Sequence, residues 1–225
     1  MPRLTRNIAT LSGLFIATIL ALPAQAYELE IHGSNTVGAT LAPMLVTGYL
    51  KERSEGRVSA KGTGQENEQI LSTRLNNRPM EVLVAAHGAS TGFKALAAGQ
   101  ADIWASSRPV KPSEAEQFRT RADLTALESE HVIAIDGLAV LVHPSNPVSQ
   151  MSIDTLGRIF SGQIRNWSEL GGPDLPIHLY ARDDRSGTWD TFKSLVLGKT
   201  YTLDGEARRY ESNDQLSDDV SRDPS

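Results

Sequence analysis

The chain has 225 residues, no cysteine, and 22 basic against 27 acidic side chains, for a formal charge of −5. The missing thiols exclude disulfides, thiolate chemistry and a lipid-bearing cysteine. The acidic balance argues against a general nucleic-acid binder, which needs a basic face.

Residues 1–26 read as a secretory signal peptide. Arg3 and Arg6 give a basic start, 11–22 is an apolar run too short for a comfortable membrane span, and Ala24-Gln25-Ala26 is a small-x-small cleavage signal. This segment carries two basic and no acidic residues, so the remainder has a formal charge of −7. With no later apolar span, the expectation is a periplasmic protein that is not membrane-inserted after cleavage and begins near Tyr27.

Residues 27–34 alternate apolar and polar and stop at glycine, as a first strand. A turn at 35–38 precedes an expected helix over 39–50, apolar at 41, 44, 45, 46, 49 and 50, with Ser34, Asn35 or Thr36 placed to cap it or to line a ligand site. A second strand is expected at 57–63 and a helix at 66–75. Another strand at 81–86 ends in His87-Gly88-Ala89-Ser90-Thr91-Gly92, ahead of a helix at 93–98.

A short strand at 102–105 ends in Ser106-Ser107-Arg108-Pro109. The helix after it has Ser113 as cap and Glu116 placed for a capping box. Residues 131–135 and 138–142 read as strands around Asp136-Gly137, and 152–160 reads as a helix. Residues 176–181 read as a strand, 182–188 as a polar turn, and 189–198 as a helix. From Asp204 the chain is polar and acidic, read as a solvated face.

Four turns share one design: strand, small or hydroxyl residues, helix N-terminus. They lie at 34–36, 90–92, 106–108 and 182–188. In open α/β sheets such turns sit at the carboxyl ends of strands, where ligands bind. Exposed backbone N–H groups, the hydroxyls of Ser186 and Thr188, and the forks of Arg182 and Arg185 suit a tetrahedral oxyanion. The same features also describe ordinary capped helices. Asp183 and Asp184 have the form of a general acid/base pair, but read rather as groups that orient Arg182 and Arg185 or accept a proton from the anion. The five histidines have no metal-ligand spacing, and there is no G-x-S-x-G elbow, P-loop or G-x-G-x-x-G. No cofactor, metal or catalytic residue is expected.

The run from Ile159 to Gly172, preceded by His143-Pro144-Ser145-Asn146-Pro147, resembles the phosphate-binding proteins of ABC transporters. So do Arg182…Ser186-Gly187-Thr188, Gly33-Ser34-Asn35-Thr36, the loop 88–92 and Ala105-Ser106-Ser107-Arg108-Pro109, all in the family's order. The resemblance implies an α/β, two-lobed type II periplasmic binding protein: mixed sheets flanked by helices, with the ligand in the inter-lobe cleft. It places lobe 1 at 27–137 and an incomplete lobe 2 at 138–225, with the return to lobe 1 absent, as in a C-terminally truncated product.

It further implies that Ser34, Thr36 and Val37 bind phosphate from the first loop and Ser90 and Thr91 from the second. Ser107 and Arg108 would bind from the third, and Arg182, Ser186, Gly187 and Thr188 from the far lobe. Ser107 stands where the family often carries an aspartate, which leaves sulfate or molybdate open beside phosphate. The implied partners are the anion and an ABC transporter permease. A phosphatase-like enzyme and an envelope adaptor that has lost transport are the other readings.

Overall fold

The computed structural model describes residues 27–225 apart from Glu55, so the signal-peptide reading falls outside the described residues. The chain builds a five-stranded sheet and a two-stranded one, each with its own apolar cluster. Among the described residues no helix is long and apolar enough to cross a membrane.

The first strand, β1 (Leu29–Gly33), runs into a single turn of helix, α1 (Asn35–Gly38), and then α2 (Leu41–Arg53). Next come β2 (Ser59–Gly62), β3 (Glu68–Leu75) and β4 (Arg78–Ala85), then α3 (Ala89–Ala98), β5 (Ile103–Ala105) and α4 (Pro112–Phe118). The sheet order is β2-β3-β4-β1-β5, with β2, β3 and β4 antiparallel and β4, β1 and β5 parallel. It is the mixed α/β sheet expected.

The helix expected over 66–75 is instead β3. Asn76 and Asn77 both take positive φ, 50° and 63°, which is the two-residue turn that matches the twist of a hairpin. That turn sets the register Leu75↔Arg78 through Glu68↔Ala85 and places Leu71, Val82 and Val84 in the core beside Ile31 and Leu50. Pro79 is tolerated because β1 pairs only with residues 82–85 of β4. The cap of α4 also differs from expectation. Pro112 occupies the first turn, and the buried Glu114 carboxylate takes the Lys111 N–H at 2.9 Å, rather than Glu116 that of Ser113.

Residues 131–142, expected as two strands, form neither strand nor helix. Among the described residues no backbone hydrogen bond joins them to another segment. Their apolar side chains are consequently exposed, from Leu138 at 38% to Ile135 at 97%.

The second unit comprises α5 (Ile153–Phe160), β6 (Tyr180–Arg182), α6 (Gly187–Phe192), a π-helical turn at Lys193–Leu197, β7 (Arg208–Tyr210) and α7 (Asn213–Arg222). Its core joins Ala181, Trp189, Phe192 and Leu197. The region after Asp204, read as a solvated face, in fact supplies β7, parallel to β6, and α7. The Ser212 Oγ caps α7 by accepting the Gln215 N–H at 3.3 Å. At the far end Asp223 accepts from the Tyr180 hydroxyl at 2.5 Å and from His178 Nδ1 at 2.8 Å.

Candidate anion site

Three parallel strands, β4, β1 and β5, end side by side at Ala85, Gly33 and Ala105. The loops leaving them carry residues 87–91, 34–36 and 106–108. In the second unit β6 and β7 end together at Arg182 and Tyr210, and the loops leaving them carry 183–186 and 211–213. The carboxyl edges of the two sheets face each other. Thr36 Oγ1 lies 3.2 Å from Thr188 Oγ1, the Asn213 N–H donates to Asn35 Oδ1 at 3.3 Å, and the Ser90 N–H donates to the Arg185 carbonyl at 3.1 Å. All four turns singled out in the sequence meet at this junction.

The two arginines among the candidate residues differ in electrostatics. Arg108 is neutralised. It makes a two-pronged pair with Glu114, at 2.6 and 2.8 Å, and donates Nε to Asp190 at 2.9 Å. Burial opposes its charge, but those carboxylates outweigh it and raise its pKa.

Arg182 is 6% exposed, and its partners are neutral: the Tyr210 carbonyl at 3.2 Å, the Glu211 carbonyl, and Asn213 Oδ1. Burial lowers its pKa, against the pull of the Asp183 and Glu211 charges. A guanidinium has five N–H donors, so two remain after these three bonds. Arg182 opens, together with Thr36, Thr188 and Asn213, on a cavity of about 300 Å³ whose other walls include Trp167 and Phe192.

The remaining candidates divide by what already occupies them. Ser107 Oγ is buried and has no hydrogen-bond partner among the described residues. It lies against Gly187, where an added Cβ would come within 2.6 Å of that oxygen, so only glycine admits this approach. Ser90 Oγ accepts from Arg108 Nη2 at 3.4 Å. Ser34 is buried, and Val37 packs its side chain on the sheet core.

Thr91 Oγ1 donates to the His87 carbonyl at 3.2 Å. Ser186 Oγ caps α6 by accepting the Trp189 N–H at 3.2 Å, and Ser186→Ala is expected to lower stability by about 1 kcal/mol in urea unfolding. Asp183 orients Arg185, accepting Nε at 2.8 Å, whereas Asp184 is 85% exposed and paired with Arg209.

Sequence reasoning missed Asn213, which accepts from Arg182 and sends Nδ2 to Thr36 Oγ1 at 3.5 Å. The available signal was Ser212-x-x-Gln215, a helix-start pattern inside the acidic stretch.

A family model described as a PBP superfamily domain matches residues 51–219. SphX of Synechococcus elongatus is 34% identical over 153 residues, 65% of this chain and 44% of SphX. The phosphate-binding protein PstS of Bacillus subtilis is 31% identical over 159 residues, 69% of this chain and 49% of PstS. The chain spans about half the length of these curated relatives.

Among solved structures, an ABC-type phosphate transport receptor from Vibrio cholerae superposes with a TM-score of 0.57 at 28% identity. The match covers 88% of this chain and 68% of the receptor. A Clostridium perfringens protein crystallised with bound phosphate gives 0.64 at 24% identity, covering 87% and 67%, and shares the fold.

Proposed function

The chain belongs to the PBP superfamily, and from that premise we propose that it captures inorganic phosphate reversibly between its two units and hands it to an ABC transporter permease. Arg182 carries this reading: a buried guanidinium with neutral partners and two donors to spare, on the lining of a cavity. A cation desolvated without a carboxylate is costly, and an anion repays that cost. Thr36 and Thr188 line the same cavity, the unpartnered Ser107 Oγ lies against Gly187 beside Thr188, and in this reading they supply the neutral donors by which phosphate is oriented. In this reading the backbone N–H groups of Val37 and Gly187 and the hydroxyls of Ser34, Ser90, Thr91 and Ser186 complete the shell around the anion.

Arg108 holds the third loop in place through Glu114 and Asp190 and acts on the anion through Ser90. In this reading the lobes are 27–137 and 138–225, supported by the presence of two separate apolar clusters, and their approach replaces water by these donors. The protein performs no chemistry on its ligand. Phosphate is carried over from the relatives named for it, and the periplasm from the leader at 1–26.

Calorimetry of residues 27–225 with phosphate, sulfate and molybdate tests the reading. Phosphate is expected to bind one to one, and no heat with any of the three overturns it. Ser107→Ala sharpens the test. Removing a buried hydroxyl that has no partner leaves stability unchanged or slightly higher, whereas losing a donor to the anion weakens phosphate binding about tenfold.

A further inference from the structure

His87 opens the second anion loop, and its ring meets two carboxylates on different units. Nε2 lies 2.8 Å from Glu68 Oε1 on β3, and Nδ1 lies 2.8 Å from Glu211 Oε1, just after β7. An ionised carboxylate only accepts hydrogen bonds. Both contacts are therefore satisfied only when both ring nitrogens carry a proton, that is, when the ring is an imidazolium. A neutral ring turns a lone pair toward one of the two carboxylates.

We infer that His87 is a proton-operated latch between the two units, tightening the closed form when protonated and releasing it when neutral. The inference rests on the reading that closure over an anion is the working motion, and it adds a regulator to that site.

The surroundings support a latch. Glu211 also accepts from Asn67 Nδ2 at 3.2 Å and pairs with Arg185 at 2.7 Å, and Arg185 is held in turn by Asp183. Glu68 also accepts from Thr63 at 2.8 Å. The next titratable groups are His32, which contacts Glu30 on β1, and Glu66, which accepts from Gln215 of α7. Among the described residues, the ring's hydrogen-bond partners are the two carboxylates.

Burial works against the charged ring, but the hydrogen bonds and charges of Glu211 and Glu68 outweigh it, and the pKa of His87 is raised. The sign follows. The stabilisation is full below the ordinary histidine value of about 6.5 and fades as pH rises through the raised one. When the units part, Glu211 leaves with the second unit and the ring keeps only Glu68. Closing therefore takes up protons, and protons favour closing.

Two measurements on residues 27–225 decide the matter. In NMR titrations in saturating phosphate, where the units are closed, the His87 ring protons are expected to titrate above the ordinary histidine range and Glu211→Gln to lower that midpoint; the same titration without phosphate reads the closed population that the free chain holds. In calorimetry, His87→Gln is expected to weaken phosphate binding about fivefold or more at pH 6 and less than twofold at pH 9. The anion's own titration is common to both proteins and cancels in their ratio. A ratio that stays constant with pH, or a His87 midpoint indifferent to Glu211→Gln, overturns the latch. Failure of the wild-type chain to bind phosphate at any pH would count against the transport reading, and the Glu211-sensitive midpoint would still judge the latch.

Discussion

Arg182→Ala is expected to abolish phosphate binding and to lower the free energy of unfolding by about 3 kcal/mol. The two effects have separate causes. Binding fails because Arg182 is the buried cation at the cavity without a carboxylate on it, so the anion loses its charged partner. Stability falls because the Tyr210 and Glu211 carbonyls and Asn213 Oδ1 lose their donor together, which loosens the two strand-end loops from each other. Arg182→Lys keeps the charge but not the planar fork. It should recover part of the stability and little of the affinity. Calorimetry paired with urea unfolding reads both quantities, and unchanged affinity in the alanine variant would move the anion site away from Arg182.

A second large effect is expected at Gly88. Its φ of +110° is strained for any L side chain, and an added Cβ would lie 2.7 Å from the carbonyl carbon of Arg185 on the opposite unit. The backbone bond from Ser90 to that same carbonyl forms only if the two loops approach this closely. Gly88→Ala should thus oppose closure itself. Apparent phosphate affinity is expected to drop about 100-fold, equivalent to about 2.7 kcal/mol against the closed form. Small-angle scattering should show a larger radius of gyration than wild type in saturating phosphate. Wild-type affinity in this variant would mean that the two units bind phosphate without meeting at this point.

The four turns were legible because the signal is local: an apolar strand, a hydroxyl, and a helix that needs capping. The structure brings all four to one junction. What completes the junction was not legible for the opposite reason. Asn213 meets Arg182 only because β7 pairs with β6, and that pairing comes from Arg208-Arg209-Tyr210, three residues with no apolar periodicity. The Arg209 guanidinium stacks on Trp189 and donates to the Arg182 carbonyl, so a charged residue does the packing that pattern reading assigns to apolar ones.

The reverse error occurred at β3. Glu68-Gln69-Ile70-Leu71-Ser72 satisfies a helical spacing as well as a strand's, and only the Asn76-Asn77 turn decides between them. At 131–142 the local pattern is strand-like on both sides of Asp136-Gly137. A strand also needs a hydrogen-bonded neighbour, and none of the described residues provides one.

That segment has a colloidal consequence. His131-Val132-Ile133-Ala134-Ile135 and Leu138-Ala139-Val140-Leu141-Val142 are two short β-prone windows without acidic, lysine or arginine side chains, and no backbone hydrogen bond joins them to another described segment. Such windows seed edge-to-edge stacking between molecules. Asp136, fully flanked by them and exposed, is the charge that keeps them from reading as one continuous strand. In these terms the acidic residue is a gatekeeper: a polar break set between two apolar windows that would otherwise join.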